Sequence, residues 1–399
     1  MRVPDGWNIL PISEILERVS DPVFPELEKN YYQIGIRSHG KGLFYKEAVT
    51  GAALGNKRVF RIHPDCFIVN IVFAWEQAVA KTSANEIGMI ASHRFPMFRP
   101  RNHQCDIDYL TYFFNTPKGK YLLELASPGG AGRNKTLGQN EFSLLKLTLP
   151  PINEQQKISQ ILSTWDKAID KLEALIAAKK KRKKALMQQL LTGNKRFNGF
   201  DDEWNWVLFD QILDIEIGGT PSRNNPDYWD AKKKSNNRWL SIRDLKGLII
   251  EDTKEYITDL GVRKSNVTLI PAGSIVMSFK LTIGRAAILG KSCYTNEAIC
   301  SLIPKNLSTV TTAFLIQALS IVDFNQEMDQ AIKGKTLNKA KLKRLKVNLP
   351  LIDEQQKIAT ILSTADKEIT IHQNQLAALK QQKKALMQQL LTGKTRVTA

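Results

Sequence analysis

The chain has no apolar run approaching the roughly 18 residues that a membrane span requires. The run FIVNIVFAW (Phe67–Trp75) has the length of a buried strand instead. The opening MRVPDGWNIL lacks the apolar core of a signal peptide, so a cytoplasmic location is expected. Cysteine is scarce: Cys66, Cys105, Cys293 and Cys300 form no CxxC pair, and the five histidines form no HxxxH pair. Buried thiols in a reducing compartment are expected, with no metal site and no disulfide frame. Acidic residues are outnumbered, since 57 Lys and Arg against 39 Asp and Glu leave a net charge of +18. An excess of that size favours a polyanionic partner, most commonly nucleic acid. With 43% apolar residues the chain can fold, and 399 residues exceed one ordinary core, so two or three domains are expected.

What the sequence does have is a repeat. Glu154–Lys167 reads EQQKISQILSTWDK, and 200 residues later Glu354–Lys367 reads EQQKIATILSTADK. Aligned without a gap, 149–193 and 349–393 agree at 29 of 45 positions, so each copy builds the same element. Each opens on a breaker, LPPINE or LPLIDE, with Asn153 or Asp353 placed as a helix cap. Each closes on KALMQQLLTG, with Gly193 or Gly393 at the C-terminal cap. No proline or glycine interrupts the segment between them, which predicts one helix of roughly 60 Å per copy.

Ile158, Leu162, Trp165, Ile169, Leu172, Ile176, Lys179, Lys183, Leu186 and Leu190 step by four and three. Ile358, Leu362, Ala365, Ile369, His372, Leu376, Leu379, Lys383, Leu386 and Leu390 keep the same beat. That period marks two coiled-coil seams, which pair most simply with each other, two separate core helices being the alternative. Connectivity favours an antiparallel pair with an approximate two-fold axis inside one chain. Lysines at seam positions 179, 183 and 383 predict looser pairing toward those ends.

The stretches outside the helices share a frame but not a middle. DGWNILPISEIL (Asp5–Leu16) matches DEWNWVLFDQIL (Asp202–Leu213), and KTLGQNEFSLLKLTLP from Lys135 matches KTLNKAKLKRLKVNLP from Lys335. The middles do not align, although strand-like and short helical runs alternate in both. The expected architecture is mixed α/β: a domain at 1–150, a helix at 151–194, a second domain at 195–350 and a second helix with a tail at 351–399.

These residues carry a resemblance. The duplicated EQQKI…ILST.D helix after an LP turn resembles the conserved regions of the specificity subunit of type I restriction–modification enzymes. GGTPSRNNPDYW (Gly218–Trp229), WLSIRDL and IGRAAIL resemble the frame of that family's target-recognition domains. The first domain lacks GGTPS and carries WEQAVA and ASHRFPMFRP instead. The resemblance implies a subunit without chemistry of its own. Two recognition domains would read an asymmetric, bipartite double-stranded DNA target, and the helix pair would space them. Partners would be two adenine methyltransferase (modification) subunits and restriction/translocase subunits. S-adenosylmethionine, ATP and magnesium would belong to those partners. The alternative is a coiled-coil scaffold with two protein-binding domains, for which a charge of +18 has no use.

The residues offer no catalytic motif. Asn225-Pro226-Asp227-Tyr228 departs from the NPPY loop with which adenine methyltransferases grip a flipped base. GKT at Gly334–Thr336 lacks the first glycine of a phosphate loop, because Asp329 stands there. Reading DNA wants Arg, Asn and Gln on bases, with Lys, Ser and Thr on phosphates. In the first domain the candidates are Arg94, Arg99, Arg101, Arg133, Asn134, Lys135 and Thr136. In the second they are Thr220, Ser222, Arg223, Asn224, Asn225, Arg243, Lys280, Thr282, Lys333, Lys335 and Thr336. For each, a solvated surface charge or polar group is the plain alternative. The run Lys179–Lys184 reads equally as a solvated or subunit-facing helix segment. Repeated polar positions on the helices, Gln155, Gln156 and Asp166 with Gln355, Gln356 and Asp366, are expected to face partner subunits.

Overall fold

The computed structural model describes residues 3–130, 135–327, 329–331 and 334–397, with the backbone alone at 329–331 and 334–336. The chain forms two compact units: 1–173 with 374–399, and 174–373. Two 39-residue helices, α1 (Ile152–Leu190) and α2 (Ile352–Leu390), each contribute to both. At 1.5 Å per residue each is about 58 Å long. Both begin one residue before the expected caps, so Asn153 and Asp353 lie inside the first turn, where Asp353 still complements the helix dipole. Gly193 and Gly393 adopt the left-handed conformation past each end (φ +74° and +69°). No described helix is long and apolar enough to cross a membrane.

In the first unit, β1 (Asn8–Pro11) pairs antiparallel with β6 (Lys146–Leu149), which ties the opening segment to the closing one. Between them β2 (Leu16–Val19), β3 (Phe67–Val69), β4 (Val79–Lys81) and β5 (Met97–Pro100) form an antiparallel sheet in the order β2-β5-β3-β4. Phe67, Phe98, Phe114 and Phe142 pack on one another beneath it. Ile158 and Leu162 of α1 and Leu390 and Leu391 from the end of α2 close this core. Each such side chain contributes roughly 1.5–3 kcal/mol by leaving water.

The second unit repeats the plan. β7 (Asn205–Leu208) pairs with β13 (Lys346–Leu349). Its main sheet combines β8 (Leu213–Ile217), β9 (Ile249–Ile250), β10 (Ile275–Ser278), β11 (Ala286–Leu289) and β12 (Ile299–Pro304), in the order β8-β12-β10-β11-β9. The order of the first four matches the first unit, and β9 adds a parallel edge. Ile358 and Leu362 of α2 and Leu190 and Leu191 from the end of α1 close this core. In each unit the start of one helix meets the end of the other, so the helices pair antiparallel.

The seam lysines correct an expectation. Lys183 Nζ lies 2.6 and 2.8 Å from the two oxygens of Asp366, and Lys383 Nζ lies 2.5 Å from Asp166 Oδ1. Lys179 reaches Glu368 at 2.7 Å, and Lys380 reaches Glu173 at 2.6 Å. Cations at the seam find carboxylates on the facing helix, so the pairing is ionic there, not loose.

Candidate nucleic-acid interface

A single backbone residue organises the loops at the edge of each sheet. In the first unit Ile71 N–H donates to Arg94 O (3.0 Å), and Ile71 O accepts from Leu137 N–H (2.8 Å). In the second, Phe279 N–H donates to Ala298 O (3.1 Å), and Phe279 O accepts from Leu337 N–H (3.2 Å). The loop after β3 or β10, the segment leading into β5 or β12, and the Lys-Thr-Leu of the closing segment therefore converge twice by corresponding bonds. Main-chain atoms make this junction, so the side chains around it are free to differ.

Around Ile71 the structure gathers Arg94, Lys135 and Thr136. Arg94 and Thr136 are exposed, and Lys135 sits 5.7 Å over the Trp75 ring. Arg101 is exposed on the turn after β5. Arg99, on β5, is matched by Glu17 at 2.5 Å and is less available to phosphate. Arg133 and Asn134 lie outside the described residues. A neighbouring hairpin, whose tip carries exposed Arg37, His39 and Lys41, has no sequence signature; its strands have three residues each, too short for a periodic signal.

Around Phe279, Lys280 is half-buried over its own neighbour's ring (5.4 Å), and Thr282 is exposed. The GGTPS loop abuts this junction: Gly218 N–H donates to Ile299 O, and the Thr220 hydroxyl donates to Glu297. Its glycines are required by close approach. A Cβ on Gly218 would stand 2.2 Å from Thr295 O, and one on Gly219 2.4 Å from Asn266 Oδ1.

Arg223 is a framework residue. Its guanidinium lies 3.6 Å over Trp229 and 4.7 Å over Trp239, and it is held by both oxygens of Glu255 at 2.5 and 3.2 Å. Arg243 approaches the same carboxylate at 3.5 Å but remains largely exposed. Asn225 Oδ1 accepts from Asp227 N–H (3.1 Å), capping the short turn Pro226–Tyr228. Ser222 and Asn224 are exposed on the loop. Lys333 lies outside the described residues, as do the side chains of Lys335 and Thr336.

Two helix positions expected to face partners are instead internal. Gln155 is 1% exposed: its Oε1 accepts from Asp106 N–H (2.9 Å), and its Nε2 donates to Gln104 O (3.1 Å) and Pro150 O (2.9 Å). Gln355 does the same with Thr311 N–H, Thr309 O and Pro350 O at 2.9–3.0 Å. Both amides are saturated, which corrects the expectation for this pair. Asp166 and Asp366 are also engaged within their units. Asp166 accepts from Tyr112 OH (2.7 Å) beside Lys383, and Asp366 accepts from Gln317 Nε2 (3.0 Å) beside Lys183. Burial, with Asp166 alongside, pushes the Tyr112 hydroxyl well up, so it stays a donor. Glu154 and Glu354 each take a two-pronged arginine, Arg396 (2.8 and 2.8 Å) and Arg196 (2.6 and 2.8 Å). Gln156 and Gln356 remain exposed.

All four cysteines are free and buried. Burial pushes the Cys66 thiol up to about 11 and those of Cys105, Cys293 and Cys300 up to about 12. Among the described residues no group of His, Cys, Asp and Glu is arranged to hold a metal ion.

Comparison with known proteins gives a consistent picture. The family described as the type I restriction modification DNA specificity domain matches residues 4–180 and again 201–381. The type I restriction enzyme MjaVIII specificity subunit of Methanocaldococcus jannaschii is 22% identical, over 100% of this chain and 95% of its own length. The EcoR124I/EcoR124II specificity subunit of Escherichia coli is 24% identical, over 91% of this chain and 88% of its own. The type I restriction–modification S subunit from M. genitalium shares the fold with a TM-score of 0.64, at 12% identity and 98% coverage of both chains.

Proposed function

Because the chain belongs to the type I restriction–modification DNA specificity family, which matches it twice over most of its length, we propose that each unit reads one half of a split, asymmetric DNA target. The observation that carries this reading is the twice-built loop junction. Identical main-chain bonds at Ile71 and Phe279, and the same Lys-Thr-Leu in both closing segments, stand beside unlike side chains: Arg94 and Trp75 in one unit, Lys280, Thr282 and Thr220 in the other. A fixed frame with variable contacts suits two half-sites of different sequence.

The chain acts by placing other subunits, and the methyl transfer and translocation are theirs, together with S-adenosylmethionine, ATP and magnesium. Positions both repeated and exposed on the helices, Gln156 and Lys157 with Gln356 and Lys357, and Lys167 with Lys367, offer one surface twice. Two modification subunits per chain follow from that duplication, and a DNA target places the complex in the cytoplasm.

The test is binding of the chain with its modification subunit to duplex DNA over a range of salt. Each phosphate contact contributes about 0.9 to the slope of log K against log salt. Arg94→Ala with Lys135→Ala should flatten that slope by about two units. Salt-independent binding by the unaltered protein would remove the DNA reading.

A further inference from the structure

Next to the Ile71 junction stands a hairpin in which Ile34, Gly35 and Ile36 pair antiparallel with Tyr45, Phe44 and Leu43. Its tip, 37–42, is closed by Arg37 N–H donating to Gly42 O (3.0 Å). The Phe44 ring lies across Gly35, where a Cβ would stand 2.2 Å from the ring's Cζ. The Arg37 guanidinium rests 5.1 Å from the centroid of the same ring, and its Nη1 donates to Leu43 O (3.0 Å). The side chain is exposed and makes no ion pair among the described residues. Arg37 is therefore fixed by a ring and one carbonyl, with the rest of its charged fork unspent.

The tip is anchored to the candidate interface. His39 N–H donates to Glu76 O (2.6 Å), Gly40 N–H donates to Gln77 O (3.0 Å), and Ser38 Oγ donates to the Glu76 carboxylate (2.9 Å). Those acceptors, on Glu76 and Gln77, directly follow Trp75, the ring under Lys135. Gln77 Nε2 in turn donates to Phe114 O (2.8 Å) and Thr116 O (3.2 Å).

We propose that this hairpin is the base-reading element of the first unit, with Arg37 contacting a guanine in the major groove. This rests on the DNA reading above. A two-stranded ribbon fits the major groove, and an arginine fork matches guanine O6 and N7. A side chain already ordered loses little entropy on contact. Arg223 offers the contrast: it stacks more tightly, but Glu255 occupies its fork from both sides. Lys41 and His39, exposed at the tip, are placed for phosphate.

The experiment is selection from randomised duplexes by the complex of this chain with its modification subunit. Arg37→Ala should lose about ten- to a hundredfold preference for one guanine in one half-site and leave the other half-site unchanged. Arg37→Lys, which keeps the charge without the fork, should not restore that preference. Lys41→Ala should weaken all sequences alike and reduce the salt slope by about one. Arg37→Ala that keeps every base preference, or that weakens all sequences alike, overturns the proposal while leaving the DNA reading intact. Failure of that reading would show separately, as salt-independent binding by the unaltered complex.

Discussion

At Asp366 three elements meet on one carboxylate: Lys183 from the facing helix, Gln317 from the helix Thr312–Ala318, and α2 itself. Asp166 repeats the arrangement with Lys383 and Tyr112. Removing the acid would strand a partly buried ammonium and an amide donor, which costs about 1–3 kcal/mol. Asp366→Ala should therefore lower the unfolding free energy of the second unit by that amount, read as a lower urea midpoint, and Lys183→Met in the same chain should recover part of it. An unchanged midpoint would mean that water replaces the carboxylate. The sequence showed the lysines and the repeated aspartates but not that they face each other, because one helix's spacing says nothing of its partner's register. The burial of Gln155 is illegible for a related reason: its partners are main-chain atoms of a loop some fifty residues earlier, which leave no trace in composition. The thiols give a pH prediction. With folded values raised from 9.0 to about 11 or 12, the folded protein holds these protons where the unfolded chain releases them. Their contribution is complete below pH 9 and falls away as pH rises through 11 to 12. Stability measured by urea titration should decline over that window, and iodoacetamide at pH 8 should modify the thiols only once urea is added.

The helices are the most legible elements, because a 3.5-residue beat sustained from Ile158 to Leu190 marks a long helix with one apolar seam. The sheets are less so. Their strands run two to six residues, and the match between β2-β5-β3-β4 and β8-β12-β10-β11 resides in order and backbone bonding, not in shared side chains. The hairpin under Arg37 was invisible for the same reason, with a glycine at the centre of one three-residue strand. Because the ion pairs fix the helix register, lengthening one helix alone by half a heptad should unseat Lys183 from Asp366 or Lys383 from Asp166 and abolish activity. Inserting a full heptad after Glu173 and another after Gln373 keeps both seams in phase and lengthens each helix by about 10 Å. That is roughly three base pairs of duplex. Methylome sequencing of cells carrying the altered complex should find the same half-sites with a spacer about three base pairs longer. The original spacer would show that the helices do not set the distance.

At the scale of the whole chain, duplication and divergence lie in different places. The helices agree at 29 of 45 aligned positions, and the opening and closing strands pair in the same way in both units. Between those strands the first unit carries the Arg37 hairpin, while the second carries the GGTPS loop, the Trp229–Trp239 pair and the extra strand β9. Each unit has its own core, closed by side chains from the two helices, so replacing one set of loops leaves the other core untouched. Exchanging 1–148 for the matching domain of a relative preserves Ile158, Leu162, Leu390 and Leu391, which cap the first core. It replaces every candidate contact around Ile71 and none around Phe279. The hybrid should therefore recognise a target in which one half-site has the donor's sequence, while the other half-site and the spacer are unchanged. Methylated-base sequencing reads both halves at once. A change in both would mean that the units do not read independently, and a palindromic target in the unaltered protein would remove the asymmetry from which the expectation starts.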